Sequence, residues 1–413
     1  MSISQNVRIN AREIGLARST GWLVCVLLAG LMTGFAQTRD SSQPSPPTVR
    51  SAAAALAAGD SKRAETELTA ILESSPHDVH ALNLLGILRA QQQRNQEAEA
   101  LFKNAIAIQP DFASAHVGLG LVYVQLGKDD VAAAELQQSL KLDPGRKDAQ
   151  AALVSVWRTQ AHSAAHSGDQ EKALALLIAA RKLNPEDPDV QFEFGMVALR
   201  MSLFPDAIDA FDETLKLRPS DPQALYGLGR TKIALSKFDD AEQIFERYVQ
   251  LRPDDASGHY ALGFALQALE RTAEARAEYE KSIEFQTAQT ESYYQLGLIE
   301  LDGGNLRAAA AQFNRVLNRA PQHAGALTGL GRVRFQEKNY EQATSLFTKA
   351  IGANSRMREA HYYLGLTDAR LGRKADSDRE LAIASQIEHA EVESHQNVLR
   401  ILDPDQVEVP EDK

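Results

Sequence analysis

The chain has 413 residues, of which 44% are hydrophobic and 24% charged, the ordinary proportions of a folded, water-exposed polypeptide. A formal charge of −11, with no long run of like charges, argues against nucleic acid as the main partner. The one cysteine, Cys25, lies in an apolar N-terminal stretch, so nothing beyond that stretch can form a disulfide, a thiolate metal site or a cysteine nucleophile.

Residues 1–36 read as a targeting segment. Arg8, Arg12 and Arg18 give a basic start, Trp22 to Met32 is almost wholly apolar, and Gly34-Phe35-Ala36 offers small residues for cleavage before Gln37. No charge falls between Arg18 and Arg39, and that length also suits a retained membrane anchor. Either way the expected location is outside the cytoplasm, in the periplasm or cell envelope. Residues 37–44 open a Pro/Ser-rich linker, with Pro44, Pro46 and Pro47, whose composition carries on to residue 50.

From there to residue 391 the chain repeats itself. The first copy, residues 45–78, is marked mainly in its second half, by Ala64, Leu68, Ile71 and Pro76. Residues 79–112 carry Leu85-Gly86, Ala98, Phe102, Ala105 and Pro110, and residues 113–146 carry Leu119-Gly120, Tyr123, Ala132, Leu136 and Pro144. A fourth copy fits once seven residues, 147–153, are set aside, which brings Trp157, Ala161, Ala173, Leu177, Ala180 and Pro185 into phase. That insertion reads as a hinge or as a first helix two turns too long; the unbroken helix-forming run from Lys147 to Ala165 favours the second.

From residue 188 the period is strict. Phe194-Gly195, Leu228-Gly229, Leu262-Gly263, Leu296-Gly297, Leu330-Gly331 and Leu364-Gly365 follow one another at 34-residue intervals. Each glycine is followed by a small residue (Ala207, Ala241, Ala275, Ala309, Ala343, Ser377) and then by a large apolar one (Phe211, Phe245, Tyr279, Phe313, Phe347, Leu381). Such a period means stacked copies of one two-helix unit, since a single hairpin cannot bury its apolar face alone. Glycine at the inner turn (Gly59, Gly127, Gly168, Gly304, Gly372) fits a helix C-terminus with positive φ. The closing proline at Pro219, Pro253 and Pro321 is missing at Thr287, Ser355 and His389, which should loosen those junctions. Residues 392–402 read as a last, capping helix, and 403–413 as an acidic tail.

Motifs that carry chemistry are sparse. His162 and His166 stand four apart on one predicted helix, a spacing that lets two imidazoles meet one metal ion, but neither a following Glu nor a third ligand lies nearby in sequence. Asp129-Asp130 and Asp239-Asp240 open second helices, where they suit the helix dipole and the free N–H groups. Gly118-Leu119-Gly120 and Gly227-Leu228-Gly229 lie inside helices, so they are not phosphate loops. No catalytic residue and no cofactor site is expected.

These residues resemble the tetratricopeptide repeat family, whose 34-residue helix-turn-helix carries Leu-Gly, a tyrosine-like position, Ala, Phe, Ala and Pro at fixed offsets. The resemblance covers ten copies over residues 45–391. It implies an all-α, right-handed superhelical solenoid whose first helices line a concave groove that binds protein segments and does no chemistry. Groove-facing places then hold Phe192, Tyr226, Tyr260, Tyr294 and Tyr362, with Met196, Arg230, Phe264, Leu298 and Arg332 one turn on. Tyrosine there offers contact area at low entropic cost and a hydroxyl for a partner's backbone. The family's chaperone-tail binders carry Lys and Asn at these places, and its O-glycosyltransferases add an asparagine ladder and a large catalytic domain. This chain has neither pattern. The function expected is a non-enzymatic binding scaffold for one or more proteins outside the cytoplasm. The alternatives are a membrane-anchored assembly factor for an envelope, secretion or polysaccharide complex, and a metal or ligand carrier using His162 and His166.

Overall fold

The computed structural model describes residues 47–402, with side chains described as far as Ala390. The expectations for residues 1–36, for the linker 37–44 and for the tail 403–413 fall outside those residues. Among the described residues every regular element is an α-helix.

The helices pair into ten hairpins, five in each of two compact units that divide at Arg218 and Pro219. In the first unit α1 (Val49–Ala57) pairs with α2 (Ser61–Ser74), and α3 (Val79–Gln91) with α4 (Asn95–Ile108). There follow α5 (Ala113–Gln125) with α6 (Asp129–Leu142), α7 (Lys147–His166) with α8 (Gln170–Leu183), and α9 (Pro188–Arg200) with α10 (Phe204–Leu217). The second unit opens with α11 (Pro222–Ala234) against α12 (Phe238–Leu251) and α13 (Ala256–Ala268) against α14 (Thr272–Phe285). It continues with α15 (Thr290–Asp302) and α16 (Leu306–Arg319), α17 (Ala324–Gln336) and α18 (Tyr340–Ala353), and α19 (Arg358–Arg370) and α20 (Lys374–Leu402).

The physical reason for the Gly and Phe spacing is direct. A Cβ added at Gly297 would stand 2.6 Å from the Phe313 ring, and one added at Gly329, on the next hairpin, 2.4 Å from the same ring. The fully buried Phe313 therefore lies between two glycines, one on each hairpin, and joins them. Phe102 does the same between Gly86 and Gly118. Burying a phenyl ring contributes about 1.5–3 kcal/mol relative to leaving it in water.

The inner turns need a residue with positive φ. Glycine supplies it in five hairpins, as at Gly168 (φ +88°), and Gln93, Ser202, Ser236, Glu270 and Lys338 adopt it in the other five. A left-handed conformation costs an L-residue about 1–2 kcal/mol, so the turn geometry, set by the stacking, prevails over local preference in half the copies.

Four features differ from expectation. The compositional linker stops short of residue 50: α1 begins at Val49 behind a capping box in which the Thr48 side chain accepts from the Ser51 N–H. The Ala-rich run after it supplies helix propensity but little periodicity, which hides the helix in the sequence. The inserted residues 147–153 simply lengthen α7 to 20 residues against 13 in α9. The Asp pairs do not cap. The N-cap residues are Lys128 and Lys237, without side-chain cap bonds; Asp130 instead accepts from Gln160 at 2.8 Å, and Asp240 pairs with Lys232 at 2.8 Å. Finally, residues 392–402 are helical but not a separate element. They continue α20 through His389, where no proline stops the helix.

Replacing Gly229 by Leu is expected to drive a side chain into the Phe245 ring, 2.6 Å from where a Cβ would stand, and to lower the melting temperature by several degrees. A circular-dichroism melt unchanged by the substitution would contradict this packing.

Candidate functional site

Within each unit, first helices of successive hairpins pack on one another (α1 on α3, α3 on α5 and α5 on α7; α11 on α13, α15 on α17 and α17 on α19), while each second helix packs on the first helix of its own hairpin and of the next. The first helices so form a row, and its residues at fixed places face one side.

The expected tyrosines stand in that row with a repeated geometry. Each ring at the fifth place lies beside the core aromatic of its own second helix: Phe192 at 6.1 Å from Phe211, Tyr226 at 5.7 Å from Phe245, Tyr260 at 5.9 Å from Tyr279 and Tyr294 at 6.2 Å from Phe313. All four are half-buried. One edge of each ring is therefore packing and the other is surface. Tyr294 also lies over Gly325 of the next hairpin, where an added Cβ would meet its hydroxyl at 2.8 Å, and beside His323 at 5.0 Å. Burial pushes the Tyr226 hydroxyl up, and raises those of Tyr260 and Tyr294 to about 12, with nearby Glu291 acting in the same direction on both.

The units differ in what surrounds these rings. Phe192 and the half-buried Met196 belong to the first unit, where Arg158, at the equivalent place of α7, is closed by Glu193 at 2.7 Å and Asp189 at 3.4 Å. Asp189 also holds Arg218 at 2.6 Å. Burial pushes the Glu193 carboxyl up, against the pull of Arg158. In the second unit Tyr226, Tyr260 and Tyr294 follow one another on α11, α13 and α15, with half-buried Arg230, Phe264 and Leu298 one turn on. The row then changes character. Thr328 is fully buried, and Arg332 is bound by Glu359 at 2.9 Å and Asp302 at 3.3 Å while lying over the Tyr363 ring. Tyr362 is 44% exposed and meets Tyr363 edge-on at 5.4 Å.

His162 and His166 do come together, with ring centroids 4.1 Å apart and both side chains exposed. His166 Nδ1 is 2.9 Å from the His162 carbonyl, so that nitrogen carries a proton. Burial, then His166 and Arg200, hold the His162 ring below the ordinary histidine range. Among the described residues no third His, Cys, Asp or Glu joins them.

A recurring constellation escaped the sequence reading. His116 Nδ1 lies 2.7 Å from Glu135 and its Nε2 3.1 Å from the Pro110 carbonyl. His259 repeats this with Glu278 at 2.6 Å and Pro253 at 2.8 Å, and His361 with Glu380 at 2.7 Å and Ser355 at 3.1 Å. Gln150 and Gln191 occupy the same place on α7 and α9 and donate to the Pro144 and Pro185 carbonyls at 2.9 and 2.7 Å. The shared task is to pair a loop carbonyl that no helix satisfies. The signal was the His–Glu separation of 19 residues in all three copies.

Comparison with known proteins agrees with the hairpin architecture. The model of the cilia and flagella-associated protein 70 C-terminal domain, a tetratricopeptide repeat model, matches residues 29–295, and a second tetratricopeptide repeat model matches residues 294–355. The chain belongs to the tetratricopeptide repeat family. Human PEX5-related protein is 26% identical over 153 residues, which are 36% of this chain and 24% of that protein, so the match spans about a quarter of the relative. Among solved structures, YrrB, described as a TPR protein with an unusual peptide-binding site, is 26% identical over 45% of this chain and 95% of its own, with a TM-score of 0.37. MamA from Desulfovibrio magneticus RS-1 is 22% identical over 41% of this chain and 96% of its own, with a TM-score of 0.39.

The raised tyrosines make a pH dependence with a definite sign. The folded state keeps its phenol protons above pH 10 while the unfolded chain, with an ordinary phenol at about 10, releases them. Stability should therefore fall between pH 10 and about 12, the value reached by Tyr260. Denaturant unfolding of Tyr260→Phe is expected to show a shallower fall across that window; equal slopes would mean that the ring is solvated.

Proposed function

We propose that this protein is a non-enzymatic scaffold that holds an extended segment of a partner protein against the first-helix row of its second unit. The observation that carries this reading is the repeated tyrosine geometry on α11, α13 and α15. Three rings in register, each with its inner edge fixed on a core aromatic, form a rigid surface with little side-chain entropy left to lose on binding. We place the protein outside the cytoplasm on the basic, then apolar, then small-residue order of residues 1–36. Retention of residues 19–38 as an anchor is the second form of the same reading, favoured by the lack of any charge between Arg18 and Arg39.

Used as bait in an extract of the producing cell's envelope, the chain should retain proteins that a folded Tyr226→Ala/Tyr260→Ala/Tyr294→Ala variant loses. Equal capture by both would move the binding face elsewhere. The N-terminus of the protein made in its own cell separates the two forms: a start at Gln37 means cleavage, and an intact Met1 with membrane association means an anchor.

A further inference from the structure

Three hairpin junctions are closed by a buried histidine, and the closure has a proton count. His116 on α5, His259 on α13 and His361 on α19 each use both ring nitrogens. Nδ1 meets a carboxylate of the second helix (Glu135, Glu278 or Glu380), and Nε2 meets the carbonyl of the loop before the first helix (Pro110, Pro253 or Ser355). A carbonyl only accepts, and so does an ionised carboxylate. A neutral imidazole has one N–H, so it completes one of the two bonds and sets a lone pair against the other acceptor. Both bonds are made together only when the ring and its carboxyl hold two protons between them. Placing the second proton on the carboxyl leaves that count unchanged.

Other hairpins serve as controls. Gln150 on α7 and Gln191 on α9 stand at the same place and close the Pro144 and Pro185 carbonyls with an amide N–H that needs no added proton. Leu82, Leu225 and Leu327 at this place offer no donor.

The charged groups around the three rings lie on the carboxylate side. Among the described residues Glu135 meets no cation besides His116. Lys281 stands 2.7 Å from Glu278 and Arg379 3.4 Å from Glu380, while Asp368, bridged by Arg373, acts on the same side as Glu380. No second donor meets the Pro110, Pro253 or Ser355 carbonyl among the described residues, so the ring is what ties each loop down.

We propose that these three junctions are proton-operated latches, which hold the preceding loop to its hairpin in mildly acid medium and release it as the medium turns alkaline. The direction follows from the count, since a bond that needs an added proton stabilises at low pH and is lost as pH rises. The glutamine junctions stay closed throughout. His259 immediately precedes Tyr260, so the latch of α13 acts on the helix that carries the middle ring of the tyrosine row. The latch itself does not depend on what that row binds.

Hydrogen exchange of the full chain at pH 6 and pH 9, read by mass spectrometry and corrected for intrinsic rates, tests this below the range in which the tyrosine hydroxyls respond. After that correction, residues 109–116, 252–259 and 354–361 should exchange about tenfold faster at pH 9, as loss of one hydrogen bond to a charged ring gives. Residues 143–150 and 184–191 should not change. His259→Gln should abolish the change at 252–259 and leave it at the other two histidine junctions. No change at the histidine junctions, or an equal change at the glutamine junctions, would overturn the latch. So would a change at 252–259 that survives His259→Gln. Should that variant fail to fold, His116→Gln repeats the test in the first unit, and the comparison of junctions within the parent still decides.

Discussion

The fold depends on one contact made again in eight of the ten hairpins: a large ring or Leu side chain from the second helix pressed against a glycine of the first. At Phe313 the contact is double, because the ring also fills the space over Gly329 of the next hairpin. The absence of a Cβ lets the two backbones approach, and the ring then fixes their distance. Since truncating such a phenyl ring costs about 3–5 kcal/mol, a slip of one residue anywhere in the repeat would be strongly disfavoured. Register is thus held by this packing.

That constraint has a consequence for recognition. Once successive hairpins are spaced by the same contact, residues at one place of their first helices fall into line whether or not they help the fold. Tyr226, Tyr260 and Tyr294 occupy such places, each fixed on the core by one edge. Charge is where the hairpins differ. In α7 and α17 the same row is closed by internal ion pairs, Arg158 with Glu193 and Arg332 with Glu359. Around Arg230 no ion pair among the described residues closes it.

The repeat and most of the hairpin boundaries were legible because glycine, alanine and the core ring recur where sterics allow nothing else. The turn glycines were legible for the same reason, although Ser236 and Glu270 hold the same positive φ without announcing it. Less was visible where the outcome depends on pairing between hairpins. Nothing in the local sequence of Arg332 says that Glu359 and Asp302 will close it, nor that Thr328 will be buried where Tyr294 is half-open. The His116, His259 and His361 arrangements were hidden likewise, since each needs a second-helix glutamate and a loop carbonyl that only the folded hairpin assembles.

The central claim is that the partner lies on the first-helix row of the second unit. Site-specific photo-crosslinking in the producing cell tests it most directly, with a benzophenone amino acid placed at Tyr260 or at Phe285, which is 46% exposed at the end of a second helix. The account predicts a discrete partner adduct from position 260 and none from position 285. An adduct from position 285 with none from position 260 would contradict it.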